Sequence, residues 1–116
     1  MPPSILIRLS GLAVFGAAIA LYADAGYSAI AFIVLFLVPD ISFAGYAAGP
    51  EVGSAAYNAV HTYAVPVVLG TAGVVSDADT LVQVALIWLA HIGIDRSLGY
   101  GLKYPTAFKD SHLDRV

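Results

Sequence analysis

The 116-residue chain contains no cysteine, which excludes disulfide staples, thiolate metal sites and thiol redox chemistry. Charge is scarce. Asp, Glu, Lys and Arg together make up 11% of the residues, against roughly 25% in soluble domains. A water-soluble fold of this size exposes much of its surface and needs those charges. Basic residues are scarcer still. Neither Lys nor Arg occurs between Arg8 and Arg96, and the others, Lys103, Lys109 and Arg115, follow shortly after. With a net charge of −3, nothing here would neutralise a run of phosphates, so a nucleic-acid partner is excluded.

What fills the chain is apolar: 59% of the residues are hydrophobic. A surface that faces lipid tolerates this, and membrane lipids are the expected surroundings. Glycine, proline and Asp/Ser clusters divide the chain into four apolar segments, expected as helices over 4–22, 27–47, 55–75 and 80–98. Each is 19 to 21 residues long, enough to cross a ~30 Å hydrocarbon core at about 1.5 Å per residue. The first lacks the basic flank and cleavage site of a removable leader, so a retained helix is expected. Asp77 or Asp79 is placed to cap the last helix. Small residues in the first and third segments, such as Gly11, Ala18, Ala55 and Ala59, suit close helix packing. The expected fold is therefore all-α, one domain, a four-helix transmembrane bundle with short loops.

Basic residues gather on the cytoplasmic side of membrane proteins. Their restriction to the two ends predicts both termini in the cytoplasm. The segment 99–116 mixes aromatic, basic and polar residues. It is expected to lie at the interface, with Tyr100, Tyr104 and Phe108 at headgroup depth and His112 solvated. Trp88 and the phenylalanines are expected to face lipid or the core.

Four ionisable residues stand out inside the apolar segments: Asp40, His61, His91 and Asp95. Each costs at least ~2.5–3.5 kcal/mol in hydrocarbon, so each needs a partner or a task. Counting along straight helices places Asp40, His61 and His91 about 9–10 Å, and Asp95 about 5 Å, from the cytoplasmic ends. The polar groups of three helices thus share one layer. His91 and Asp95 are four apart and lie on one helix face, as do Asn58 and His61, three apart. Two imidazoles and two carboxylates make an N/O ligand set for zinc, manganese or iron. A carboxylate left free would orient a ligand histidine or act as a general base. Tyr57 and Tyr63 could add hydrogen bonds. The alternative is polar glue between helices, worth around 0.6 kcal/mol per pair.

The run from Ala90 to Arg96, followed by Gly99-Tyr100-Gly101-Leu102-Lys103-Tyr104-Pro105 and Phe108-Lys109-Asp110, together with Pro39-Asp40 and Asn58-Ala59-Val60-His61-Thr62-Tyr63, resembles an uncharacterised family of small bacterial membrane proteins, domain of unknown function 4260. A more distant similarity is to YdjM-type inner-membrane proteins described as metal-dependent hydrolases. Pro39-Asp40-Ile41 is similar to their first motif, His61 to one histidine of their second, and His91 with Asp95 to their His-x-x-x-Asp. Ser42 stands in place of a second Asp, and one histidine is missing. The resemblance implies a divalent ion, zinc first, held by Asp40, His61, His91 and Asp95. It implies hydrolysis of a phosphoester or lipid-linked substrate at the cytoplasmic leaflet, with Asp95 and Asp40 as catalytic groups. Arg96, Lys103 and Lys109 could then bind phosphate oxygens. Three alternatives stand beside it: a bis-histidine haem site on His61 and His91, an ion- or proton-binding module, and a structural subunit of a membrane complex. The chain could also form a homo-oligomer.

Overall fold

Proline suits the first turn of a helix, where its missing N–H has no partner to lose, and Pro3 opens α1, Pro3–Asp24. The computed structural model describes residues 2–102 and 111–115. Ser28 accepts a hydrogen bond from the Ala31 N–H and caps α2, Ala29–Leu35. A 3₁₀ helix, Val38–Ala48, continues the same apolar segment. Gly49 turns the chain, and Pro50 starts α3, Pro50–His61. Then follow α4, Ala64–Val75; α5, Asp79–Leu98; and the short α6, His112–Arg115. Among the described residues, four stretches are long and apolar enough to cross a membrane: Pro3–Asp24, Ala29–Ala48, Pro50–Val75 and Asp79–Leu98.

Two of these spans are discontinuous where straight helices were expected. Pro39 has no N–H to give to a carbonyl one turn back, so the α-helix cannot continue through it. The chain tightens into the 3₁₀ form, with the Asp40 N–H bonded to the Leu37 carbonyl at 3.0 Å. In the third span, α3 begins at Pro50 and ends at His61, where Thr62 adopts an extended conformation (φ −93°, ψ 139°) before α4 resumes. The last helix also starts differently from expectation. Its N-cap is Ala78, without a side-chain cap, and Asp79 is already helical.

The core lies along α5, which packs against α1 on one side and α4 on another, while α3 packs on the 3₁₀ helix. Ala18 and Tyr22 of α1 meet Leu86, Ile87 and Ala90 of α5 there. Gly11 and Gly93 make the closest approach. A Cβ on Gly93 would sit 2.7 Å from the Gly11 carbonyl oxygen and the Phe15 nitrogen; one on Gly11 would sit 2.6 Å from the Gly93 carbonyl oxygen. Small residues allow this helix contact, which dispersion forces reward. Polar atoms are satisfied locally: the Tyr22 hydroxyl donates to the Ser28 carbonyl and accepts from Gln83 Nε2 at 3.1 Å. Large apolar side chains lie outside, with Ile30 75% and Val75 80% exposed. Such a surface fits hydrocarbon rather than water.

α5 ends on Gly99, whose left-handed backbone (φ +99°) lets the Tyr100 N–H reach the Asp95 carbonyl at 2.8 Å. Arg8 of α1 lies over Gly99, so the start of α1 and the end of α5 share one end of the pair. Beyond this cap Tyr100 is exposed, whereas Ser111 and Leu113 are buried. Tyr104, Phe108, Lys103 and Lys109 lie outside the described residues.

Candidate metal centre

His61 is the last residue of α3 and is fully buried. Its Nδ1 lies 2.9 Å from the Tyr57 carbonyl, one turn earlier. A carbonyl only accepts, so Nδ1 carries the proton and Nε2 presents a lone pair. The Tyr57 ring stacks on the imidazole at 3.8 Å with a 4° interplanar angle, which fixes the ring plane. His91, in mid-α5, faces it with the Nε2 atoms 3.2 Å apart. Phe36 flanks His91 at 5.2 Å between ring centroids.

The carboxylates close the group. Asp40 Oδ1 lies 3.1 Å from His91 Nε2 and 3.6 Å from His61 Nε2. Asp95 Oδ2 lies 3.2 Å from His91 Nε2 and 3.4 Å from His61 Nε2. All four donor atoms lie within 4.8 Å of one another. A regular tetrahedron with metal–ligand arms of ~2.0–2.1 Å has edges of about 3.3–3.4 Å. The five spacings that involve a histidine nitrogen, 3.1 to 3.6 Å, straddle that value.

With both imidazoles neutral, proton counting points the same way. His61 Nε2 has no hydrogen to give. A neutral His91 brings at most one proton to the centre, against three acceptors: His61 Nε2, Asp40 Oδ1 and Asp95 Oδ2. One proton satisfies one contact, and the carboxylate charges would still repel each other in a low-dielectric layer. A divalent cation satisfies all four lone pairs and cancels both charges. Asp40 is the most accessible of the four, its side chain 34% exposed against 17% for Asp95.

Arg96 is not on the protein surface. It is 4% exposed. One Nη donates to the Tyr100 carbonyl at 2.9 Å, the other to the His61 carbonyl freed by the break at Thr62. Its guanidinium also lies 5.7 Å from the Tyr63 ring centroid. It therefore holds the His61 backbone against the end of α5. His112 is half-buried, contrary to the expectation that it is solvated. Its Nδ1 accepts from the Leu102 N–H at 2.7 Å, and burial, with the Arg96 charge second, lowers its pKa.

Two cavities adjoin residues of the centre. A groove of about 630 Å³ is lined by Pro39, Ile41 and Ser42 around Asp40, by Val60 before His61, and by Trp88 on α5. A pocket of about 380 Å³ is lined by Ser10, Thr62, Tyr63, Arg96 and His112.

The family described as Domain of unknown function (DUF4260) matches residues 4–116. The chain belongs to this family. No curated protein and no solved structure matches it.

In this DUF4260 chain the structure brings Asp40, His61, His91 and Asp95 together, with Arg96 behind them. Tyr57 and Trp88 hold more of the arrangement than their sequence context suggested. Tyr57 sits four residues before His61, the one interval that puts its carbonyl and ring in reach of the imidazole. Trp88 Nε1 donates to the Val60 carbonyl and ties α3 to α5 beside the centre; nothing in the sequence marks that contact.

Proposed function

We propose that this protein is a membrane-embedded, metal-dependent hydrolase. The convergence of two histidine nitrogens and two carboxylate oxygens within 4.8 Å of one another carries this reading. Asp40, His61, His91 and Asp95 would hold the ion, zinc first, with manganese or iron also compatible with N/O donors. A bound divalent ion supplies a Lewis acid and an acidified water. The chain's own groups do the rest. Tyr57 and Arg96 keep His61 in place and Asp95 lies beside both histidines, so Asp40, the most accessible donor, would be the one to yield its position to water and take up the proton at its carboxylate. A phosphoester or lipid-linked substrate at the cytoplasmic leaflet of a bacterial inner membrane fits this layout. The test is elemental analysis of the purified protein beside His91→Ala: about one divalent ion per chain in the wild type, lost in the variant. Equal and negligible metal in both would sink the proposal.

The geometry argues against a bis-histidine haem. With Nε2 atoms 3.2 Å apart, no macrocycle fits between the imidazoles, and two carboxylates occupy the space around them. An ion or proton path is the second reading, supported by the helix breaks at Pro39 and Thr62. Discontinuous spans with polar groups at the break are how transporters place their binding sites. Proton flux across proteoliposomes, absent in Asp95→Asn, would favour it over hydrolysis.

A further inference from the structure

Along the chain, the donors of the metal centre fall between residues that line two different cavities. Along α3 and the break, Val60 lines the groove, His61 enters the centre, and Thr62 and Tyr63 line the pocket. Along α5 the order repeats: Trp88 lines the groove, His91 and Asp95 enter the centre, and Arg96 lines the pocket. Asp40 is flanked on both sides by groove residues, Pro39 and Ile41.

The groove offers nothing to a polar ligand. Its two polar side chains, Ser42 and Trp88, already donate to the Pro39 and Val60 carbonyls. At about 630 Å³ it falls in the range of ligand cavities, ~300–1,000 Å³, and it opens beside side chains that face hydrocarbon.

The pocket also has apolar walls, in Leu6, Ile7 and Leu102, but it holds a charge. Arg96 is buried, yet its hydrogen-bond acceptors are neutral carbonyls, and among the described residues no carboxylate pairs with it. A guanidinium has five N–H donors, so some remain. With a divalent ion cancelling Asp40 and Asp95, Arg96 leaves the layer with one positive charge, and a buried unpaired charge calls for an anion. His112 lines the same pocket. Its Nδ1 accepts a hydrogen bond, so in the neutral ring Nε2 carries a proton. The Tyr63 hydroxyl is buried with no hydrogen-bond partner among the described residues.

We infer that the two cavities form one amphipathic site for a phosphate-bearing membrane lipid. A hydrocarbon chain lies in the groove, the phosphate lies against Arg96, and the bond between them is presented to the metal centre. This deepens the hydrolase reading and rests on it for the chemistry, while the binding itself is measurable without turnover.

The experiment is native mass spectrometry of the purified, metal-loaded full chain in detergent. The probes are dioleoyl phosphatidic acid, dioleoylglycerol, which keeps the chains and lacks the phosphate, and inorganic phosphate. Phosphatidic acid should be retained at concentrations at least about tenfold below either half. Ala59→Trp narrows the groove and Ser10→Glu places a carboxylate at the pocket. Both positions are exposed, and neither supplies a donor to the centre. Each should weaken phosphatidic acid binding about tenfold with metal content unchanged. Equal retention of phosphatidic acid and dioleoylglycerol would overturn the inference, as would phosphate binding alone as tightly, or variants without effect. In each case normal metal content would leave the hydrolase reading intact. Loss of metal with lipid still bound would sink that reading alone.

Discussion

His61 Nε2 and His91 Nε2 stand 3.2 Å apart, each with both aspartate carboxylates within 3.6 Å. In the neutral ring His61 Nε2 bears no hydrogen, so this approach calls for positive charge among the four atoms, which a divalent ion would supply. Removing either histidine should therefore remove the ion. His61→Ala and His91→Ala are expected to fall below about a tenth of wild-type metal content by elemental analysis. Asp40→Asn, at the most accessible donor, should weaken binding less than Asp95→Asn in a chelator competition.

Gly93→Ala should separate α1 from α5, because its Cβ would press on backbone atoms of Gly11 and Phe15 that cannot rotate away. Overpacking of this kind costs about 1–3 kcal/mol. Gly16→Ala is the control. A Cβ there meets nothing within 4 Å, and the change from glycine favours the helix by about 1 kcal/mol. Thermal unfolding in detergent should show Gly93→Ala melting lower than wild type, and Gly16→Ala no lower.

The tail should loosen in acid. His112 Nδ1 accepts from the Leu102 N–H, so protonating it breaks that bond and sets a second charge near Arg96. Burial and that charge lower its folded pKa beneath the ordinary histidine value of about 6.5. A depressed pKa means that the unfolded tail binds the proton more readily. The contribution to stability is complete above about pH 6.5 and is lost as pH falls through the folded value. Amide exchange at Leu102 should accelerate below that range, and His112→Gln should flatten the response.

Arg8 lies over Gly99, so both ends of the α1–α5 pair point to one side. Reporter fusions should place residue 77 outside and the C-terminus in the cytoplasm, in line with the basic residues at the ends. A periplasmic C-terminus would contradict this topology.

The four apolar spans were legible because length and hydropathy are properties of whole segments, and local irregularity does not erase them. Asp40, His61, His91 and Asp95 were legible because an ionisable side chain in hydrocarbon stands out wherever it falls. The course of the backbone around them was less so. Pro39 is a visible breaker, yet a proline in a membrane helix is often absorbed as a kink, and nothing local announces eleven residues of 3₁₀ helix after it. The extended Thr62 is marked only from a distance, by Pro66, which has no N–H for the carbonyl four residues back. The position of Arg96 followed from neither charge nor spacing, because it depends on a carbonyl that only the break at His61 sets free.

The centre draws its donors from three separate elements: the 3₁₀ helix, α3 and α5. The first two pack on each other, and α5 packs chiefly on α1 and α4. The ion would therefore latch one half of the molecule to the other. In the chain, α5 follows the other three spans, and it carries half of the donor set. Metal loading then becomes a late event of biogenesis, open only to a chain whose fourth span has entered the bilayer. A truncated or misinserted copy would stay metal-free.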